Sequence, residues 1–576
     1  MGEGWQIAFD PFLMSTASSF CEMIQASVFS SSPCFSLALS RAPFGPASAA
    51  RAVQPPVLAI CVDEGEALLG PLYIPGTSVC PDCLEHWLDL NFYDRKEPEV
   101  TPGAEAAQAV AKQLAMWSSI LQGGGRVEEL EAGAVSLRFR DRTTRWRPVF
   151  PLRNCVRCAS LRVEANTQLR VHCGPWTGIV NRMELGSSAS AGAYRAACTW
   201  TPPLPTGNAR PYLKRMGAYG RGRTREEAEL GCVGEALERY SLIYRGDEPL
   251  VRAGFRCIDA IHPDSIQLFS ESQYRQRHEW NAAADEEFHV PEPFQPDAPV
   301  DWLEARPLGR KGDAKFVAAG CCLMWYQFPP GETEFARADT VGCGCGPTFD
   351  DALAHALLEW IERDAMAIWW DNRLRRPGVR LDSFESDDLD QAAKGLHAIG
   401  RDLFLLDCTT DIGVPAYVSV APRLDGSEPL LAGAAHPSAR IAAYKAASEV
   451  GQVWYEAKKS GALPRSLRPW LLRETTATQP YLAPRGFVDA PRQSVSPRED
   501  TVRYIVECLE SVGLQVYAVD HSRPDVLPRT ARAIVPGLRH IWNRRAPGRL
   551  YDVPLKMGWL AQPHCEEDLN PVRCMI

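Results

Sequence analysis

Two stretches of the chain carry the same chemical groups at the same spacing. Gly220-Arg221-Gly222-x-Thr224 leads to Glu235-x-x-Glu238-Arg239, and Gly344-Cys345-Gly346-x-Thr348 leads to Glu359-x-x-Glu362-Arg363. Matched positions differ by 124 (344 − 220, 363 − 239), with Ala228 and Ala352 in step. On a helix of 3.6 residues per turn, positions i, i+3 and i+4 share a face, so each segment turns two carboxylates and one guanidinium toward the same space. On an exposed surface such a triplet is an ordinary salt-bridged helix face. Here Leu357, Leu358, Trp360 and Ile361 surround the second triplet, which predicts a largely buried helix. Its carboxylates then need a cation or hydrogen-bond donors.

The glycines ahead of each helix predict a turn that aims backbone N–H groups at an anion, where the helix dipole also favours negative charge. Paired carboxylates suit Mg2+, which prefers hard oxygen ligands and binds through a few carboxylates together with substrate phosphates. The combined set reads as a site for a nucleotide and magnesium. A third segment joins it: Gly433-Ala434-Ala435-His436 precedes a helical run from Ile441 to Tyr455, in which Glu449 and Gln452 stand at i and i+3. No Gly-x-x-x-x-Gly-Lys-Ser/Thr loop occurs, so the chain is not a P-loop enzyme.

A second chemistry lies upstream. Cys80 and Cys83, and Cys155 and Cys158, form two Cys-x-x-Cys pairs. Two such pairs fit one closed tetrahedral zinc site of structural type; redox pairs or disulfides are the alternatives. The other cysteines stand among small residues, as Cys321-Cys322 and Cys343/Cys345 do, and read as buried, inert thiols. His436, in a turn before Pro437, reads first as a local hydrogen-bonding residue, and Trp369 and Trp370 as core.

These groups must be carried by a framework of alternating elements. Helices are predicted over 104–121, 224–243, 349–370 and 439–459. Strands are predicted at Val135 to Phe139, Trp146 to Phe150 (an edge, because of Pro148), Phe404 to Leu406, Ala416 to Val420, Leu514 to Val519 and Arg532 to Val535. Interleaved helices and strands with a pseudo-repeat predict an α/β (α+β) fold of related halves. The segment 461–500, rich in Pro, Arg, Ser and Thr, reads as a loop or lid. The whole has 576 residues, 45% of them hydrophobic, and a net charge of −9, enough for a sizeable core and unsuited to nucleic acid as main partner. No run of 18 apolar residues and no basic-then-apolar N-terminus occurs, and the 19 cysteines suit a reducing compartment, so a cytoplasmic protein away from membranes is expected.

From about residue 170 onward the chain resembles the YcaO family, which binds ATP through Ser-x-x-x-Glu-x-x-Glu-Arg, a second Glu-x-x-Glu-Arg helix and a later Glu-x-x-Gln helix. The strings ALLEWIERDAMAIWWDNRLRRPGV, LLDCTTDIGVPAYVSV, GAAHPSARIAAYKAASEVGQ and IVPGLRHIWNRRAPGRLYDVPLKMGWL make it similar to the SagD-like branch, the D component of azoline-forming cyclodehydratases. The resemblance implies two domains. Residues 1–165 would be a remnant of a ThiF-like domain carrying the four-cysteine zinc site, and 170–576 the YcaO cyclodehydratase domain. It implies ATP and Mg2+ on Arg221, Glu235, Glu238, Arg239, Glu359, Glu362, Arg363, Glu449 and Gln452, with Glu235, Glu238, Glu359 and Glu362 as magnesium ligands or the acceptors behind them. It further implies a ribosomally made precursor peptide as substrate, a leader-binding ThiF-like partner protein, a flavin dehydrogenase as a further partner, and a homodimer. The implied reaction converts Cys, Ser or Thr to thiazoline or oxazoline. An enzyme forming a thioamide or amidine, and a catalytically impaired docking protein, are the other readings. The chain departs from the family pattern at Gly231, where serine is usual, at Val341 and Gly344 in the loop before the second helix, and at Arg573 in a tail that usually reads Asn-Pro-x-Pro. Pro571 and the terminal Ile576 are the tail positions that the resemblance brings toward the chemistry.

Overall fold

The structure is a computed structural model that describes residues 7–9, 20–22, 24, 36–41, 47–53, 55–63, 65–92, 103–122, 127–131, 133–151, 155, 157–158, 169–174, 176–187, 194–202, 216–283, 289–309, 312–460, 468–491, 501–524 and 526–574. The chain forms two compact units. One comprises Met1–Glu184, Cys198–Ala218 and Arg523–Leu527; the other comprises Leu185–Ala197, Tyr219–Ser522 and Pro528–Ile576.

The first unit is built on a six-stranded sheet of β1 (Ile7–Phe9), β2 (Ser36–Arg41), β3 (Val57–Val62), β4 (Glu66–Tyr73), β5 (Gly133–Arg138) and β6 (Thr144–Pro148), paired in sequence order. β1, β2 and β3 run parallel and the rest antiparallel. The apolar runs VLAICV and ALLGPL lie buried in the middle of the sheet, whereas β6 is the outer edge, as Pro148 predicts. Helix α1 (Pro81–Phe92) follows the first cysteine pair, and α2 (Ala104–Gln122) buries Ala106, Val110, Leu114 and Trp117 into the core beside β3, β4 and β5.

The second unit holds two larger sheets. In the first, β8 (Val251–Gly254), β9 (Pro299–Pro307), β17 (Tyr517–Asp520), β18 (Arg529–Ile534) and β11 (Cys343–Gly346) follow one another, with β10 (Lys315–Ala318) also on β9. In the second the order is β15 (Leu430–Ala435), β14 (Ala416–Ala421), β13 (Phe404–Asp407), β12 (Gly378–Val379) and β16 (Phe487–Val488). Strand β7 (Met216–Gly222) runs into α3 (Arg225–Leu242), and β11 runs into α4 (Phe349–Asp371). Helix α4 is the spine of the main core: Leu357, Ile361, Ile368, Trp369 and Trp370 are all buried, packed with β14, β15 and α6 (Thr501–Ser511). Helix α5 (Ala439–Ser460) lies on β14 and β15 through a buried stripe of Ala442, Ala443, Ala446 and Ala447. It is close enough for Ser419 Oγ to donate to the Ala446 carbonyl at 2.8 Å. Among the described residues no helix is long and apolar enough to cross a membrane.

The paired glycines do something other than the anion-facing turn expected of them. Gly220, Gly222, Gly344 and Gly346 lie in strands, and none has a left-handed backbone. A Cβ on Gly220 would run into the backbone of Ala228 and Cys232, and one on Gly344 into that of Ala352 and Ala356. The repeat is therefore a strand laid directly on the helix that follows it, which only glycine permits. The segment 461–500 also differs from the expected loop. Its described part, 468–491, contains a helix at Arg468–Arg473 and strand β16 paired parallel to β12, and buries Tyr481 and Leu482, because scattered aromatic and leucine side chains suffice to dock it.

Gly344→Ala sets a Cβ against backbone that cannot swing away, and should cost about 1–3 kcal/mol or more in urea unfolding of this unit. Gly231→Ala, at an exposed mid-helix site with only ordinary contacts beyond 3.5 Å, should instead add up to about 1 kcal/mol. Equal effects at the two positions would refute the seating role.

Candidate nucleotide and metal site

Capping fixes where both charged helices begin. Thr224 accepts the Glu227 N–H at 3.1 Å, and Thr348 shares a capping box with Asp351. Downstream on α3, Glu235 pairs with Arg239 one turn later, and its other oxygen accepts the Tyr219 N–H at 2.6 Å. On α4, Arg363 reaches Glu359 at 3.3 Å and Glu362 at 3.2 Å, and Glu359 Oε2 accepts the Gly342 N–H at 3.1 Å. Arg221 on β7 reaches across to Glu449 on α5 at 2.8 Å. β15 approaches the same place through Gly433, whose missing side chain leaves room for Met366 and Glu362 of α4.

The result is a cleft with about 220 Å³ of room, lined by Arg221, His355, Glu359, Glu362, Lys445 and Glu449, with Leu358 and the end of β15 as its apolar wall. Burial pushes the carboxyls of Glu238 and Glu362 up to about 8. For Glu238 the neighbouring Glu359 and Glu235 add to the rise; for Glu362 the pull of Arg363 opposes burial, while Glu449 and Glu359 reinforce it. Glu235 and Glu359 are raised by burial too, against the pull of Arg239 and Arg363. Burial and the nearby Arg221 lower Lys445. Crowded, half-buried carboxylates of this kind fit a hard divalent cation, and Arg221 and Lys445 on the same walls fit phosphate.

The structure thus assembles Arg221, Glu235, Glu238, Arg239, Glu359, Glu362, Arg363 and Glu449. Gln452 lies on α5, but its side chain is outside the described residues, as is Ile576. Pro571 is pinned elsewhere along α4. The Asn570 N–H donates to the Asp371 carbonyl at 2.7 Å and Trp370 Nε1 to that of Val572 at 2.6 Å, which puts Pro571 about 14 Å along the helix from Glu362 (371 − 362 residues). His436 makes a local turn, its Nδ1 accepting the Ser438 N–H at 2.9 Å. Cys321, Cys322 and Cys343 are buried, with thiols raised by burial, as inert cysteines should be. Sequence reasoning missed Lys445 and His355. Lys445 stands one turn before Glu449 on the same face, so the i−4 spacing alone was enough to find it.

In the first unit the sulfurs of Cys80, Cys83, Cys155 and Cys158 lie within 4.8 Å of one another. Cys80 Sγ is 3.7 Å from that of Cys83 and 3.5 Å from that of Cys155. Tetrahedral metal–sulfur bonds of ~2.3 Å require about 3.8 Å between sulfurs, whereas a disulfide requires ~2.05 Å. The cluster could hold a metal ion as it stands.

A family model described as YcaO cyclodehydratase, ATP- and Mg2+-binding, matches residues 219–539, a span that contains every residue of the cleft. An uncharacterised protein of Methanothermobacter thermautotrophicus is 26% identical over 347 residues, which is 55% of this chain and 80% of that protein. A heterocyclase solved in complex with substrate and cofactor is 25% identical and matches with a TM-score of 0.85, covering 100% of this chain and 86% of that one. The heterocyclase TruD matches at 25% identity with a TM-score of 0.71, over 100% of this chain and 84% of its own. The chain belongs to the YcaO family.

Proposed function

We propose that this cyclodehydratase-type enzyme uses ATP to activate backbone amides of a ribosomally synthesised precursor peptide, forming thiazoline or oxazoline from Cys, Ser or Thr. The observation that carries the reading is the cleft lined by Arg221, Glu359, Glu362, Lys445 and Glu449, with Arg363 paired to two of its carboxylates and Glu235, Glu238 and Arg239 of the neighbouring helix close enough to act on its charges. The solved heterocyclase relative that binds substrate and cofactor supports it.

In this reading the side chain of Cys, Ser or Thr attacks the preceding amide carbonyl, and the resulting oxyanion takes the γ-phosphoryl group of ATP. Phosphate then departs with the former amide oxygen, leaving the ring. Magnesium, bound with the nucleotide, supplies charge neutralisation at the phosphates. Glu238 and Glu362 give up their protons to the solvent as the cation arrives, Glu235 and Glu359 are held in place by backbone N–H groups and their arginines, and Arg221 and Lys445 contact phosphate. The family resemblance adds Gln452 as a further polar contact to the nucleotide. The chain's own share is positioning and electrostatics.

Residues 1–165 are, in the same reading, a ThiF-like remnant whose four-cysteine cluster holds structural zinc, and 170–576 the catalytic domain. A leader-binding ThiF-like partner and a flavin dehydrogenase complete the pathway step, with the chain itself a homodimer in the cytoplasm.

Incubation with precursor, partner and Mg-ATP should lower the peptide mass by about 18 Da per ring with release of one phosphate. Glu359→Gln should reduce this at least about 100-fold. Nucleotide binding without any mass change would sink the cyclodehydratase reading, and an active Glu359→Gln would sink the site. The purified protein should contain one zinc per chain by elemental analysis. Cys83→Ser should lose it and lower the unfolding temperature of the first unit while Mg-nucleotide binding persists; a metal-free, equally stable wild type would rule zinc out.

A further inference from the structure

Asp339 lies just before β11, outside every group so far assigned to the cleft, and has more strong hydrogen bonds than a turn residue requires. Its Oδ1 accepts the Val341 N–H at 2.8 Å, and its Oδ2 accepts His540 Nε2 at 3.0 Å and Arg544 Nη2 at 3.1 Å. His540 Nδ1 accepts the Trp542 N–H at 3.1 Å, which leaves Nε2 as the nitrogen that donates to Asp339. Arg532 donates to the carbonyls of Asp339 and Val341, so the backbone of the turn is held as well as its side chain. His540, Arg532 and Arg544 are all buried, and a carboxylate with such partners stays ionised: those cations and the histidine hold Asp339 well below the ordinary range despite its burial.

What this turn presents is Gly342, at φ 75°, where only glycine fits because a side chain would strike the Trp360 indole. The Gly342 carbonyl accepts the Ala533 N–H at 2.8 Å, and its N–H donates to Glu359 Oε2 at 3.1 Å. Trp360, the neighbour of Glu359, is fixed in turn by donating Nε1 to the Ala533 carbonyl at 2.8 Å. The buried groups on 532–544 therefore connect through Asp339 and one N–H to a carboxylate of the cleft.

We propose that Asp339, held by His540 and Arg544, is a positioning residue for Glu359: it fixes the 339–342 turn so that Glu359 Oε2 is taken by the Gly342 N–H while Oε1 meets Arg363, which sets the carboxylate in one orientation on the cleft wall. This rests on the reading of the cleft as the Mg-nucleotide site. Without the clamp Glu359 loses the Gly342 N–H and keeps only Arg363, so its carboxylate turns about that one contact and metal-dependent binding suffers while the helix that carries it stays intact.

The test is a double-mutant cycle on the full chain with Asp339→Asn and Glu359→Gln, reading the Mg2+ concentration for half-maximal binding of a fluorescent, non-hydrolysable ATP analogue. Each single substitution should raise it about tenfold, and the double should exceed Glu359→Gln by less than about twofold, because residues acting through one another are not additive. A merely structural residue would give additive effects, and additivity overturns the proposal. His540→Leu, which removes one donor, should repeat the coupling, and His540→Gln, which restores a donor, should recover most of the binding. If Asp339→Asn does not fold, this pair decides alone, with equal binding by Leu and Gln counting against the clamp. If Glu359→Gln itself leaves binding unchanged, the nucleotide-site reading fails; if Glu359→Gln weakens binding but folded Asp339→Asn does not, only the clamp fails.

Discussion

Carboxylates placed together in a half-buried cleft repel one another, and the YcaO unit of this chain is organised around that repulsion. Folding brings Glu235, Glu238, Glu359 and Glu362 close enough to feel neighbouring carboxylates, and the arginines beside them relieve only part of the cost. Burial and the neighbouring carboxylates leave Glu238 and Glu362 raised furthest, to about 8. A protein selected for stability alone would replace such groups by packed apolar side chains. Retaining them makes sense where a cation and a polyphosphate arrive to complete the charge balance, the task that ATP- and Mg2+-binding cyclodehydratases perform.

Keeping such a cluster in place demands rigid carriers. Helix α4 meets the demand by burial on nearly every side, with Trp360, Trp369 and Trp370 all inside the protein. The glycine strands meet it differently. By letting β7 and β11 lie against the backbones of α3 and α4, they fix each helix to a strand with no side chain between them, in the same way in both copies. The 124-residue repeat is thus a repeated packing device as much as a repeated set of charges.

The charged helices are legible in the sequence because their chemistry is local. Glu235, Glu238 and Arg239 share a face by spacing alone, and the strict offset links them to Glu359, Glu362 and Arg363. The Cys80/Cys83 and Cys155/Cys158 pairs are visible for the same reason. Gly-x-Gly is open to misreading, since the same two glycines serve an anion turn or a close strand–helix contact, and only the backbone tells them apart. Asp339 and His540 lie 201 positions apart, and no periodicity connects an aspartate before a strand to a histidine near the other end of the unit. Lys445 is within reach of the sequence, one helical turn from Glu449, but on the opposite side of it from the Glu449-to-Gln452 spacing that marks α5.

If the cleft is the Mg-nucleotide site proposed above, carboxyls raised by crowding should lose protons as the metal nucleotide binds. Calorimetric titration with Mg2+ and a non-hydrolysable ATP analogue, in buffers of different ionisation enthalpy, counts those protons directly. With Glu238 and Glu362 raised to about 8, binding at pH 7 should release protons, the release should fade toward pH 9 and above, and Glu238→Gln or Glu362→Gln should each diminish it. Tight binding at pH 7 with no proton release, or a release that both substitutions leave unchanged, would contradict a cleft governed by carboxylate repulsion.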